Sequence, residues 1–303
     1  MHFSKIILGC EQIGGKDHGK LNFSELTKTF REALKLGINT FDTAGIYNLG
    51  KSETNLYKIF KSKVHDINII TKGGLNYNFL ELEKRAKVFS QFDESFLRQN
   101  IEQSCKRLKL KKIPVFLIHY PPNNKATMIK VCKSLEKFKK ERIIENYGFS
   151  NIDYKLFNYA YKDFDIYAIE NSLNLFNFRD QIKNFKKINR RVKKIAHSVL
   201  AQGMLTGKYD TKKRFLKSDR RHRMAFFSRQ MMKKNYLKIT KLQKIAYKHD
   251  TSPTILSLSF LLNCPYLDSI IIGVKNLRQL QSNLSALNYN FNKKLSLDLM
   301  KIF

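Results

Sequence analysis

The sequence has no tryptophan, only five prolines and only four cysteines among its 303 residues. The spacing of Cys10, Cys105, Cys132 and Cys264 fits neither a disulfide framework nor a paired-cysteine metal site. The few prolines come with no Gly/Ser-rich linker, so nothing in the sequence marks an internal domain boundary. We therefore expect a single domain over residues 1–303, in a reducing, cytoplasmic compartment.

Long apolar runs are also missing. The nearest candidate, the interrupted stretch from Ile255 to Leu262, is far shorter than the ~18 apolar residues that a membrane span needs. The first residues, from Met1 to Leu8, lack a charged start followed by a long apolar stretch and a small-residue cleavage site. The sequence therefore predicts neither a membrane span nor a signal peptide.

Acidic residues are scarce. Against 57 Lys and Arg there are 25 Asp and Glu, which gives a formal net charge of +32 at pH 7 and raises the question of an anionic partner. Basic residues are densest from Thr211 to Lys238, where Asp219 is the one acid and aromatics such as Tyr236 are interleaved. Such a segment can bind nucleic acid, and an anionic substrate is the other option.

Short apolar runs with β-branched residues alternate with helical patterns along most of the chain. This alternation favours parallel βαβ units, and a count of eight strands favours a closed (β/α)8 TIM barrel, in the α/β class. No G-x-G-x-x-G follows a strand, which weakens a Rossmann-fold interpretation. The predicted strands are Ile6–Cys10, Thr40–Thr43, Ile67–Lys72, Val115–His119, Asn146–Ser150, Ile166–Asn171, Lys194–Val199 and Ser269–Gly273.

Four residues at the ends of predicted strands two, three and four carry the chemistry. In a parallel barrel the active site is built from the carboxyl ends of the strands and the loops that follow them. Asp42 lies near the end of strand two with Tyr47 five residues later, while Lys72 and His119 close the next two strands. Each residue alone is more often a turn, packing or surface residue. Together they form a set that can transfer a proton.

A tyrosine that exchanges a proton at neutral pH needs its pKa, ordinarily near 10, to be lowered. The ammonium of Lys72 would lower the pKa of Tyr47, and Asp42 would keep that lysine charged. His119 would donate a hydrogen bond to the substrate oxygen. This set suits a reaction in which a carbonyl oxygen becomes an alkoxide and takes up a proton. The histidines form no H-x-H, H-E-x-x-H or Cys/His cluster, so no metal site is expected.

Several motifs occur in one order between about Leu8 and Ala286: Gly37–Ala44 with Tyr47, Gly50–Glu53, Thr71-Lys72, Leu117–Pro121, Gly148–Asn151, Leu205–Tyr209, and Ile272-Gly273 with Gln279 and Asn283. In these motifs the sequence resembles the aldo-keto reductases. The resemblance implies a (β/α)8 barrel that binds NADP(H) at its C-terminal face and reduces aldehydes or ketones. By position, Asp42, Tyr47, Lys72 and His119 match the catalytic tetrad of that family, with Tyr47 as the proton donor.

The resemblance also implies which residues bind the cofactor. Ser150 and Asn151 match the pair that hydrogen-bonds the nicotinamide carboxamide. Lys275 falls where the family often faces the 2′-phosphate, and a cation there favours NADPH over NADH. Residues similar to the loop that covers the pyrophosphate are Ser198, Leu200, Gln202 and Lys208, and residues similar to the adenosine segment are Gly273, Lys275, Gln279 and Asn283.

Among the cofactor positions that depart from the family pattern, two are expected beside the nicotinamide. Glu170 stands where glutamine is usual, so it lacks the amide donor and can add a charge beside the nicotinamide. His197 stands where an aromatic residue commonly packs against the nicotinamide ring, and imidazole can still stack there. Both differences bear on cofactor affinity.

The expected function is therefore NADPH-dependent reduction of an aldehyde or ketone, including a sugar or another polar or anionic carbonyl compound. A cofactor-binding redox sensor or accessory subunit with little turnover is the alternative, although the complete tetrad argues against it. The resemblance places the basic segment 211–238 near the cofactor phosphates, which makes nucleic acid an unlikely partner. The substrate, set by loops 73–92, 121–125 and 211–228, and the oligomeric state are left open.

Overall fold

A closed barrel of parallel strands forms the centre of the protein. The computed structural model describes residues 1–15, 21–80, 85–217 and 219–303. The strands in these ranges are β1 (Ile6–Gly9), β2 (Thr40–Asp42), β3 (Asn68–Gly73), β4 (Leu75–Leu80), β5 (Arg85–Ser90), β6 (Ile113–Ile118), β7 (Ile144–Ser150), β8 (Ala168–Ser172), β9 (Lys193–His197) and β10 (Ser269–Ile272). Eight of these described strands pair in parallel in the closed order β1-β10-β9-β8-β7-β6-β3-β2. The predicted (β/α)8 fold is confirmed, with each strand end within two residues of its predicted position.

Helices surround the barrel on its outer side. Most begin directly after an Asn, Asp or Ser whose side-chain oxygen accepts a hydrogen bond from the first turn, as Asn22 does from the N–H groups of Ser24 and Glu25. No helix in the described ranges is both long enough and apolar enough to cross a membrane. The helices are α1 (Phe23–Lys35), α2 (Lys51–Phe60), α3 (Glu94–Leu108), α4 (Lys125–Lys140), α5 (Tyr154–Ala160), α6 (Phe178–Lys187), α7 (Arg229–Lys248), α8 (Pro253–Leu262), α9 (Leu277–Leu284) and α10 (Lys293–Ile302).

The predicted substrate loop 73–92 contains an antiparallel hairpin of β4 and β5, in which Asn76 pairs with Phe89. Residues 81–84 of that loop lie outside the described residues. The alternation of apolar and polar residues from Leu75 to Asn78 has the period of a strand. Because the hairpin follows the carboxyl end of β3 directly, it stands at the rim where the candidate site lies.

The interior of the barrel has an apolar floor below a polar layer. Side chains two residues apart in a strand face the same way. Lys72, His119, Glu170 and His197 each lie two residues beyond a member of the floor, so they occupy the next layer toward the carboxyl ends. The buried members of the floor are Phe3, Ile7, Ile70, Val115, Leu117, Ala168 and Ile195. The titratable residues therefore lie directly above a buried apolar layer of the barrel interior.

Gly148 permits the close approach of β7 to β8. A Cβ atom on this residue would lie 1.9 Å from the backbone oxygen of Ala168 and 3.0 Å from Leu117 Cδ2. Because backbone cannot move aside like a flexible side chain, we expect Gly148→Ala to lower the free energy of unfolding by about 2 kcal/mol, as overpacking of a core does. Urea denaturation measures the change, and an unchanged midpoint and slope would contradict it.

Candidate active site

A buried ion pair lies at the centre of the site. Lys72 Nζ is 2.6 Å from each carboxylate oxygen of Asp42 and donates a third hydrogen bond, of 3.2 Å, to the backbone oxygen of Thr43. Glu170 Oε1 lies 3.4 Å from the same ammonium. The three charged side chains are at most 4% exposed. The ends of β2, β3 and β8 thus bring two carboxylates to one lysine.

Tyr47 reaches this ion pair from the turn between β2 and α2. Its ring centre is 5.6 Å from Lys72 Nζ, and it meets the His119 ring edge to face at 5.7 Å. After Tyr47 the chain takes left-handed backbone at Asn48, Leu49 and Gly50 before α2 begins. The Asn48 side chain donates a hydrogen bond of 2.5 Å to the backbone oxygen of Gly14. This turn therefore holds the tyrosine at the mouth of the barrel.

The protonation states of Tyr47 and Lys72 follow from burial and from neighbouring charge. Burial raises the pKa of Tyr47 well above 10, although the Lys72 ammonium acts in the opposite direction. The sequence predicted the direction of the lysine effect but not the larger effect of burial. Burial also acts to lower the pKa of Lys72, but Asp42 and Glu170 outweigh it and raise that pKa above its usual value. At neutral pH Tyr47 is a phenol beside a charged lysine.

His119 follows β6 and completes the group. Its backbone N–H donates to the Gly73 oxygen at 2.9 Å, which connects the ends of β6 and β3. Burial and the charge of Lys72 hold its pKa well below 6.5, so the imidazole is neutral at pH 7. Its buried Nδ1 has no hydrogen-bond partner among the described residues. A neutral imidazole with a spare polar atom can hold a substrate oxygen through one N–H.

The four residues expected at the nicotinamide form a connected network beside the tetrad. His197 contacts Asn151 Oδ1 through Nε2 and Ser198 Oγ through Nδ1, both at 3.0 Å. Ser150 Oγ donates to Glu170 Oε1 at 3.4 Å. Burial, followed by the charge of Lys72, lowers the pKa of His197 to about 4. The imidazole is therefore neutral at pH 7, and both of its nitrogens are engaged.

The expected pyrophosphate residues are only partly brought together. Gln202 donates to Ser198 Oγ at 3.2 Å and accepts a bond of 2.6 Å from Arg220, which is also paired with Glu11. Leu200 packs against the hydrophobic core, and Lys208 is exposed at the surface. Arg220 lies within the basic segment, and no sequence pattern distinguishes it from its basic neighbours. In the folded chain Arg220 lies against Gln202 and Glu11.

A second arginine accompanies the expected adenosine residues. Arg221 pairs with Asp219 at 2.5 Å and donates to the Tyr209 hydroxyl at 2.6 Å. Burial, and then the nearby charge of Arg221, lowers the pKa of Lys275. Gln279 accepts a hydrogen bond of 2.9 Å from the Lys275 backbone N–H. Asp219 acts on Lys275 in the opposite direction, so two cations share one carboxylate, and the remaining positive charge favours an anion in this part of the site. Ser218, beside this group, lies outside the described residues.

The site contains buried polar atoms that have no hydrogen-bond partner among the described residues and that a dinucleotide can contact. Besides His119 Nδ1, the buried atoms without a hydrogen-bond partner in the described ranges include Glu170 Oε2 and Gln12 Oε1. Gly273 is exposed, and a Cβ on it would lie 2.1 Å from Gln12 Nε2, so the chain passes closely there. Asn283 is buried on α9. The two orphaned oxygens suit amide or hydroxyl donors of a dinucleotide, while the cations Arg220, Arg221 and Lys275 suit its phosphates. No cluster of three or more metal-binding side chains occurs among the described residues.

The protein is a parallel barrel with a buried lysine–carboxylate pair, a tyrosine and a histidine at its carboxyl mouth. Such a set of side chains can transfer a proton to or from a carbonyl or alcohol oxygen. The sequence profile of the Aldo/keto reductase family matches residues 5–298. The chain belongs to this family, whose members are oxidoreductases that act on carbonyl compounds.

Individual relatives are distant but cover nearly the whole chain. The uncharacterized oxidoreductase YqkF of Bacillus subtilis is 25% identical over 95% of this chain and 88% of its own. The NADH-specific methylglyoxal reductase of Escherichia coli is 25% identical over 95% and 91% of the respective chains. The solved structure of the glycerol dehydrogenase AKR11B4 from Gluconobacter oxydans superimposes with a TM-score of 0.85 at 24% identity, over 99% of this chain and 91% of that one. The last similarity supports the fold.

Proposed function

We propose that this protein reduces the carbonyl group of an aldehyde or ketone with NADPH, and that Tyr47 is the proton donor. The observation that carries this proposal is the buried Asp42–Lys72 pair with the neutral phenol of Tyr47 beside it. Such a lysine stabilises the negative charge that the tyrosine acquires when it gives up its proton. Family membership supports the same class of reaction.

The four residues divide the work at the substrate oxygen. Bound NADPH supplies the hydride that reduces the carbonyl carbon. His119 donates a hydrogen bond that orients the carbonyl oxygen, and Tyr47 gives its proton to that oxygen as it gains electrons. Lys72 offsets part of the effect of burial on the pKa of Tyr47. Asp42 holds the ammonium in place and charged.

We assign the cofactor contacts to three groups of residues along the mouth. Hydrogen bonds join all four members of the nicotinamide group in pairs and two members of each of the other groups, and the remaining members are assigned from the family resemblance. The nicotinamide group is Ser150, Asn151, Glu170 and His197; the pyrophosphate group is Ser198, Leu200, Gln202 and Lys208; the adenosine group is Gly273, Lys275, Gln279 and Asn283.

We propose NADPH over NADH because Lys275 of the adenosine group has a second cation, Arg221, nearby. Arg221 acts electrostatically on Lys275, and a 2′-phosphate would relieve their repulsion. Family membership alone does not decide this preference, since the E. coli relative is NADH-specific by name. The preference therefore rests on the residues of this chain.

Lys275→Met tests the cofactor preference. We expect the Kd for NADPH to rise about tenfold, because a charged hydrogen bond to phosphate is lost, while the Kd for NADH changes less than about twofold. Calorimetric titration of each cofactor measures both constants. Lys294→Met, which removes an exposed charge from α10, is the matched control. Equal loss of affinity for the two cofactors would contradict the assignment.

Turnover separates the enzyme from the sensor hypothesis. We expect loss of NADPH absorbance when the protein meets a panel of small aldehydes and ketones that includes methylglyoxal, the substrate in the name of the E. coli relative. Tight NADPH binding without consumption on any carbonyl compound would favour a cofactor-binding sensor or accessory subunit.

A further inference from the structure

Glu170 gives the active-site lysine a second carboxylate. Asp42 already places both of its oxygens 2.6 Å from Lys72 Nζ, and Glu170 Oε1 adds a contact of 3.4 Å. All three side chains are buried away from water. Two carboxyl groups face one ammonium, so this buried cluster can take up one more unit of positive charge, either as a proton on Asp42 or as a neighbouring cation.

The pKa of Asp42 is shifted by this excess of carboxyl groups over ammonium groups. Burial raises it well above its usual range, and the charge of Glu170 raises it further, against the opposing effect of Lys72. A cation placed beside the two carboxylates would relieve the repulsion between them.

One atom of Glu170 is available to such a cation. Its Oε2 is buried and has no hydrogen-bond partner in the described part of the chain, while Oε1 is shared by Lys72 and Ser150. The backbone oxygen of Glu170 accepts a bond of 2.8 Å from the N–H of Asn151. Glu170 is thus attached to the same pair of residues to which we assign the carboxamide of the nicotinamide.

We propose that Glu170 makes this chain bind the oxidised, positively charged nicotinamide more tightly than the reduced, neutral ring. This inference rests on the proposed function, which puts the ring beside Ser150 and Asn151. Glutamine at this position carries no charge and would not discriminate between the two redox states. Tighter binding of NADP⁺ slows its release after carbonyl reduction and, by linkage, shifts the equilibrium of hydride transfer in the bound complex toward NADP⁺ and the alcohol product.

The test compares the Kd of NADP⁺ with that of NADPH by calorimetry. In the wild type we expect NADP⁺ to bind more tightly, and in Glu170→Gln we expect that preference to fall about tenfold, since a full charge near the ring is removed. Glu170→Asp, which keeps the charge, should stay near the wild-type ratio. Glu141→Gln removes an exposed carboxylate on the outside of the barrel and should leave the ratio unchanged.

An unchanged ratio in Glu170→Gln overturns the inference while leaving the proposed function intact. Failure of the wild type to bind either form overturns both. If Glu170→Gln does not fold, wild-type protein is titrated with NADP⁺ and with a dinucleotide whose nicotinamide is replaced by neutral benzamide. Tighter binding of the cationic ring supports the inference, and equal affinity overturns it.

Discussion

We expect Tyr47→Phe to lower carbonyl turnover by roughly 10³-fold, because the variant keeps the ring but has no proton to give to the substrate oxygen. In the proposed mechanism the phenol is the donor, and its ring lies 5.6 Å from Lys72 Nζ and 5.7 Å from the His119 ring. Its raised pKa keeps it protonated at neutral pH, so a proton is available for the reduction. The rate of NADPH consumption at saturating substrate measures the loss.

The Kd for NADPH distinguishes loss of chemistry from loss of structure. We expect it to stay within about twofold in Tyr47→Phe, since the substitution removes one hydroxyl outside the assigned cofactor groups. Tyr247→Phe is a matched control, because this side chain is 89% exposed on α7. Turnover like that of the wild type in Tyr47→Phe would rule out the proposed mechanism.

We expect Lys72→Met to lower the free energy of unfolding by about 3–5 kcal/mol at neutral pH, because it leaves Asp42 and Glu170 buried without their cation. The sign of the pH dependence follows from Asp42. Burial already raises the pKa of its carboxyl, and loss of the ammonium raises it further. When the pKa of a carboxyl group is higher in the folded than in the unfolded state, the free energy of unfolding falls as pH rises above the pKa of the unfolded state. The deficit should therefore be larger at pH 8 than at pH 5.

Chemical denaturation at both pH values measures this deficit. Adding Asp42→Asn to Lys72→Met should recover part of it, since one buried charge is then removed along with its partner. Lys137→Met is the surface control, because its pair with Glu94 is exposed and its loss should leave stability close to that of the wild type. A deficit that is the same at pH 5 and pH 8 would show that the carboxylates are not its cause.

The barrel could be predicted because its signal is local and repeated. Each strand is a short apolar run, and the period that puts one side chain inside puts the next outside. Asp42 and Lys72 follow buried apolar neighbours in their strands, so their position at the carboxyl rim could be predicted from strand ends alone. The hairpin after β3 was missed because its brief alternation lies in a stretch that we interpreted as a loop.

The contacts across the barrel could not be predicted in this way. Glu170 lies nearly a hundred residues after Lys72, and closure of the barrel brings their side chains within 3.4 Å. Arg221 was one basic residue among many until the fold set it against Asp219 and near Lys275. No spacing rule predicts which cations of a basic segment face inward, because that depends on the path of the loop.

Sequence alone determined the barrel, the family resemblance and the four residues at its mouth, because strand period and motif order are properties of neighbouring positions. The tertiary structure decided how those residues are charged. Tyr47 has a raised pKa, not the lowered one expected, because burial outweighs the ammonium beside it. Lys72 faces two carboxylates because three strand ends meet there. Burial and distance arise only when the ring of strands closes, and they set the energies of buried charges.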